Sequence, residues 1–220
     1  MVITISEEVQ RDFPDLHVLM SCIENVTVKK SDSELEEFKK DILQEIRDTY
    51  DIETLKDRPI LRAYRDFFWR LGVDPTKIRP AAEALIRRLL RGKPLPRINT
   101  LVDAYNLASI KTEIAIAAFD SEKVLGELIM RYAKEGEEFL GIGMKTPLRL
   151  KGREIVISDE EKLVAIYPYR DAEDTKVTEA TRGVILLFCG VPGISVQNLS
   201  EAREVTIDFV TRFCEGTVKD

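Results

Sequence analysis

The stretch Glu154-Ile155-Val156-Ile157-Ser158-Asp159-Glu160-Glu161-Lys162-Leu163-Val164-Ala165-Ile166-Tyr167 sets two short apolar runs on either side of a polar link. Each run has the length and composition of a strand rather than a helix. Glu127–Tyr132 and Val184–Cys189 have the same character. Turn chemistry separates the four, at Gly136, Gly141, Gly143, Gly152, Gly190 and Pro192-Gly193. Strand-like runs thus cluster together, with helical patterns at both ends of the chain. That segregation argues an α+β fold and against an alternating parallel α/β one.

Working outward, Val2–Ile5 reads as a strand and Glu7–Phe13 as a polar helical turn. His17–Val28, rich in β-branched residues, suits one or two further strands. Ser33 and Glu36 have the spacing of a capping box, and the helix behind them carries Leu35, Phe38, Ile42, Leu43 and Ile46 as an apolar stripe. A helix over Pro59–Leu71 presents Leu61, Tyr64, Phe68 and Leu71, with Gly72 as its stop. Pro80 opens another, with Ala84, Leu85, Leu89 and Leu90 expected on its apolar face; Gly92 and Pro94-Leu95-Pro96 end it. Leu101–Ile110 is helical in pattern, and a last amphipathic helix spans Ser195–Phe213. The proline-rich segment divides an N-terminal strand-and-helix elaboration, residues 1–94, from a second part, residues 95–220, within one compact body.

Composition excludes several function classes. The chain of 220 residues is 44% hydrophobic, enough for a substantial core. No apolar run reaches the roughly 18–20 residues of a membrane span, and the N-terminus has acids where a signal peptide needs a basic start. A cytoplasmic, non-membrane protein is expected. Cys22, Cys189 and Cys214 are far apart and form no CxxC pair, so neither a disulfide framework nor a zinc site is indicated. His17 is the one histidine, so any His-dependent catalysis or metal site would have to be built around it. No metal and no cofactor is expected. Charged residues at 33%, with three Gln and four Asn, match the composition of heat-adapted proteins.

Charge is unevenly placed. Residues 79–97 hold Arg79, Arg87, Arg88, Arg91, Lys93 and Arg97 against Glu83 alone, a local net of +5 in a chain of net −6. Arginine forks match phosphate geometry, which makes Arg87, Arg88, Arg91, Lys93 and Arg97 candidates for an RNA backbone. A solvated helix face covering apolar surface with its long stems is the competing reading. Gly141-Ile142-Gly143 reads as a tight turn, and no phosphate loop or nucleophile elbow is present.

Two segments carry more polar function than loops need. In Arg97–Asn106, Asp103 and Asn106 lie three apart on one helix face; the segment continues to Ala117-Ala118-Phe119-Asp120. In Tyr169–Thr181, Thr175, Thr178 and Thr181 recur at three-residue steps among Arg170, Glu173 and Asp174. Such hydroxyls suit a pocket for a polar ligand; a polar β-connection with a helix cap is the alternative.

These segments resemble the B3/B4 domain of the phenylalanyl-tRNA synthetase β subunit, in its short free-standing form. Asn99–Asn106 is similar to the family's N-x-(L/V)-x-D-x-x-N signature, and Ala117–Asp120 to its HAFD tail. Gly126–Phe139 resembles the strand leading into G-E-x-F, Gly152–Asp159 the strand ending in aspartate, and Thr175–Thr181 the S/T-x-V-T-x-x-T segment. The resemblance covers about residues 95–215. It implies a layered β/β/α core and a pocket which, in the synthetase, removes mischarged tyrosine from phenylalanine tRNA. It further implies tRNA or aminoacyl-tRNA as partner, with Asn99, Asp103, Asn106, Asp120, Arg170, Glu173, Asp174, Thr175, Thr178 and Thr181 as pocket residues. Asn106 matches a polar residue of that pocket, but the family's histidine falls on Ala117. Its acidic residue falls on Glu173 or, with a different gap, on Lys176. Three functions stay open at this stage: an editing hydrolase, a tRNA- or aminoacyl-binding module without chemistry, and a small-molecule or scaffold protein that does not bind RNA. No catalytic residue is assigned.

Overall fold

The computed structural model describes residues 3–219. Val2, in the first expected strand, lies outside them. Two sheets and a helical layer enclose the main core, and a smaller cluster of Ala133, Phe139, Leu150, Val156, Ile166 and Ala172 packs apart from it. The first sheet has the order β1 (Ile3–Ile5), β4 (Leu128–Tyr132), β7 (Ile155–Ser158), β8 (Leu163–Ile166), β9 (Arg170–Asp171). Only β1–β4 within it is parallel; the remaining pairs are antiparallel. The second sheet is antiparallel, ordered β11 (Thr217–Lys219), β2 (Val18–Glu24), β10 (Gly183–Cys189), β3 (Ile116–Asp120). A separate hairpin joins β5 (Glu135–Phe139) to β6 (Leu148–Lys151).

Against the second sheet pack α5 (Thr100–Thr112) and α6 (Val196–Cys214), with α2 (Ser33–Thr49) and α4 (Ala81–Leu90) on α5; α1 (Glu7–Asp12) lies on β4. Every residue of β10 is buried, as a central strand covered on both faces requires. The architecture is therefore the α+β, β/β/α layering expected. Among the described residues no helix is long and apolar enough to cross a membrane.

The N-terminal elements are woven through this body. β1 extends one sheet and β2 lies inside the other. From α3 (Pro59–Arg70), the fully buried Tyr64 donates its hydroxyl to the Cys189 carbonyl and accepts from the Ala115 N–H at 2.9 Å. Tyr167 donates to the Gly190 carbonyl. Two buried phenols thus pin the end of β10. Gly190 is required there by contact, since a Cβ would lie 2.3 Å from the His17 carbonyl oxygen.

Several local expectations shift. The N-cap of α2 is Asp32, not Ser33: its carboxylate accepts from Glu34 N–H at 2.9 Å and Leu35 N–H at 3.2 Å. An anionic cap facing a helix N-terminus satisfies two donors at once, while Glu36 turns to Lys39 and Arg97. On α4 the buried stripe is Ala82, Ile86 and Leu89, and Ala84 is exposed. His17–Val28 forms one strand, ended at Asn25 by a positive φ of 59°. The hairpin β5–β6 and the short strands β9 and β11 lack strand-like apolar runs, because they sit at edges where one face meets water.

Candidate functional site

The first candidate segment builds the N-terminus of α5. Asn99 is its N-cap, buried, its side-chain oxygen accepting from Val102 N–H at 2.9 Å. Thr100 is buried beside it and accepts from Lys29 N–H at 3.0 Å. Asp103 is 5% exposed and receives the Ile98 N–H at 3.1 Å and the Lys39 ammonium at 2.5 Å. Both ends of that ion pair are buried, and Lys39 also holds Glu36 at 2.6 Å. Asp103 and Asn106 therefore do not act as a pair. One is turned inward and neutralised by α2, while Asn106 stays half-buried with no hydrogen-bond partner among the described residues.

The hydroxyl-rich segment is likewise largely self-satisfied. Thr181 donates to Asp120 Oδ2 at 2.7 Å and accepts from Thr178 N–H at 2.9 Å. The Thr175 carbonyl accepts from Asp120 N–H at 2.9 Å, on the free edge of β3. Lys123 stands 3.4 Å from Asp120. Glu173 and Lys176, the two positions on which the acidic residue of the resembling family could fall, form an ion pair with each other. That bond, and the Gly143 N–H at 3.2 Å, hold the Glu173 carboxyl below its usual range. Asp174 is exposed, and exposed Arg170 packs over Gly141, where a Cβ would lie 2.5 Å from its Cδ. The Thr175 hydroxyl is the exception: fully buried, it has no partner among the described residues.

The edge strands β3 and β9 of the two sheets lie against each other. Tyr105, Asn106 and Asp171 are each partly exposed. Asp171 is enclosed on most sides, and this burial pushes its carboxyl up to about 7, partly offset by the Ala118 N–H that points to it from β3. Burial, followed by the charges of Asp171 and Asp103, holds the Tyr105 phenol protonated. A carboxyl that titrates near neutrality, beside a phenol and an edge N–H, can take or return a proton at physiological pH. Ala117, 7% exposed, occupies the same strand. Sequence reasoning missed Asp171 and Tyr105, although both stand within the two candidate segments. The alternation along β9, with Arg170 outside and Asp171 inside, was the available signal.

The basic stretch divides in two. Lys77, Arg79, Arg87, Arg88, Arg91 and Lys93 line one groove of about 280 Å³ with Ala84 and no acidic residue. Arg87 is committed at its rim, bonding Glu83 at 2.7 Å. Glu83 is fully buried and is also held by both oxygens to Arg65, at 3.1 and 3.2 Å. Arg88 is tied to the Pro94 carbonyl at 2.5 Å. Arg97 is paired with Glu36 at 2.7 Å and is not part of the groove lining. Lys77 joins unforeseen, brought in by the turn before α4. Among the described residues no three His, Cys, Asp or Glu side chains converge as a metal site needs; His17 is exposed ahead of β2.

Comparison with known proteins gives a consistent result. Residues 63–220 match the family model described as the B3/4 domain. The phenylalanine–tRNA ligase β subunit of Protochlamydia amoebophila is 32% identical over 124 residues, 56% of this chain and 15% of that subunit. That of Bartonella quintana is 35% identical over 119 residues, 54% of this chain and 15% of the subunit. The chain thus aligns with only about a sixth of these longer relatives. An N-terminal fragment of the phenylalanyl-tRNA synthetase β subunit from Pyrococcus horikoshii shares the fold, with a TM-score of 0.53 and 14% identity, covering 99% of this chain and 50% of that one.

Proposed function

Because the chain belongs to the B3/4 domain family, we propose that it binds tRNA, gripping backbone phosphates in the α4 groove and receiving the aminoacyl end between α5 and β9. The observation that carries this is the groove. It gathers six cationic side chains of an acidic protein with no carboxylate in its lining. Glu83, on the buried side of α4, pairs with Arg65 and Arg87 and so offsets Arg87 alone among the six. Arg79, Arg91 and Lys93 have no carboxylate partner among the described residues. Binding of this kind weakens steeply as salt displaces the contacts.

The test is retardation of bulk tRNA between 50 and 200 mM salt. With about four phosphate contacts, the logarithm of affinity falls against the logarithm of salt with a slope of roughly −3. Arg91→Gln with Lys93→Gln flattens that slope by about 1 to 2. Unretarded tRNA at the lowest salt would favour the small-molecule or scaffold reading.

A second reading, hydrolysis of a mischarged aminoacyl ester, is favoured by one specific observation, the near-neutral Asp171 carboxyl beside Tyr105. Asp171 takes a proton as water adds to the ester carbonyl, and the Ala118 N–H, which bonds the same carboxylate, holds it in place. Collapse of the adduct releases the ribose hydroxyl, reprotonated from Asp171, and the free amino acid. Asp171 would then be the titratable group of a site in which Ala117 stands at the histidine position of the resembling family. Deacylation of a panel of mischarged tRNAs decides it: turnover that Asp171→Asn abolishes supports the reading, and loss no faster than the spontaneous rate on every substrate ends it.

A further inference from the structure

Trp69, the only tryptophan of the chain, is 55% exposed near the end of α3. Single exposed apolar residues are ordinary on protein surfaces. This one is not isolated. It forms a wall of a cleft of about 430 Å³, shared with Phe13, Tyr132, Arg70 and Arg153. The cleft therefore combines three aromatic rings with two guanidinium groups, and its lining contains no acid. Arg70 stacks 4.3 Å above the Phe13 ring and donates to the Asp12 carbonyl at 3.0 Å. The Asp12 carboxylate nearby is taken by the Tyr132 hydroxyl at 2.9 Å. Among the described residues neither Arg70 nor Arg153 has a carboxylate partner. One turn back along α3, Arg65 reaches over to Glu83 of α4, so the cleft lies on the flank of the helix pair that carries the basic groove.

We propose that the Trp69 cleft is a stacking platform for one unpaired nucleobase of a bound RNA, with Arg70 and Arg153 meeting the adjoining phosphate. The inference rests on the RNA-binding reading and extends it to a site away from both α5 and the α4 groove. A cleft of this size accepts one nucleotide. Aromatic faces stack on any base, and an exposed indole beside guanidinium groups has the composition of single-strand binding surfaces. A second copy of the chain is less well matched, since the two arginines would be desolvated with no acid supplied by the cleft itself.

The chain reports on this site by itself, because all of its tryptophan emission comes from Trp69. The full chain is titrated with a six-nucleotide single-stranded RNA and, separately, with bulk tRNA followed by both emission and gel mobility. Saturable quenching is expected with each. Trp69→Ala weakens oligonucleotide binding about 5- to 150-fold, and Trp69→Phe retains most of it. Arg153→Gln lowers affinity with a reduced salt dependence. Circular dichroism and thermal melting verify that the surface variants fold. If tRNA is retarded but emission stays constant and Trp69→Ala binds like the parent, the platform is refuted while the RNA-binding reading stands. If tRNA is not retarded, both fall. Emission that changes with protein concentration in the absence of RNA assigns the cleft to self-association and likewise refutes the platform.

Discussion

Replacing Asp171 with asparagine makes the protein more stable above neutral pH and leaves it unchanged in acid. Asp171 sits between the edges of two sheets, and enclosure there lifts its carboxyl from an ordinary 3.8 to about 7. A raised native value means that the unfolded chain loses its proton first as pH rises. The stability associated with this group is complete below about pH 4, drains away between about 4 and 7, and is gone above that. At about 1.4 kcal/mol for each pH unit of separation, the ceiling is roughly 4 kcal/mol. Asp171 retains some solvent access, so an effect of about 2 kcal/mol is expected. Asparagine matches the carboxyl in shape and still offers an oxygen to the Ala118 N–H, yet does not ionise. Urea denaturation of both proteins at half-unit steps from pH 4 to 8 measures the difference. The curves should converge at the acid end and separate by about 2 kcal/mol at pH 8. A constant offset across the whole range would refute the placement of this carboxyl in a desolvated crevice.

Two further substitutions probe the interior. Glu83→Ala leaves the Arg65 and Arg87 guanidinium groups, largely buried by the packing of α3 on α4, without their shared carboxylate. A loss of about 3–5 kcal/mol in denaturant unfolding is expected, and a change below about 1 kcal/mol would show that water already screens the triad. Thr175→Val keeps the shape of the side chain and deletes a buried hydroxyl that has no partner. It should raise stability by about 1–2 kcal/mol, and a decrease instead would show that the hydroxyl is bonded in solution.

The periodic elements were legible in the linear chain because their causes are local. Leu35, Ile42 and Ile46 recur at helical steps, Gly72 and Gly92 stop helices with positive φ, and β10 is a seven-residue apolar run buried on both faces. The same applies to the resemblance carried by Asn99–Asn106 and Thr175–Thr181, whose spacing survives without knowledge of what each side chain touches. Even there the roles were not legible. Asn99 is a cap and Thr181 a brace for Asp120, since short polar side chains close to backbone donors satisfy those donors before any ligand arrives.

What the chain order by itself determined was the periodic helices, the longer apolar strands, their α+β segregation and the family, but not the hairpin β5–β6 or the edge strands β9 and β11. What only the tertiary structure decided was which charges are free. Lys39 neutralises Asp103 from 64 positions away, Arg65 of α3 claims the buried Glu83 of α4, and Glu36 captures Arg97. Conversely, among the described residues Asp171 has no cationic partner, and Lys77 joins a groove lined mainly by α4 and the segment after it. The reason is physical: a helix or turn is chosen by neighbours a few bonds away, whereas the state of a charge is set by whatever the fold brings within a few ångströms and by how much water it shuts out.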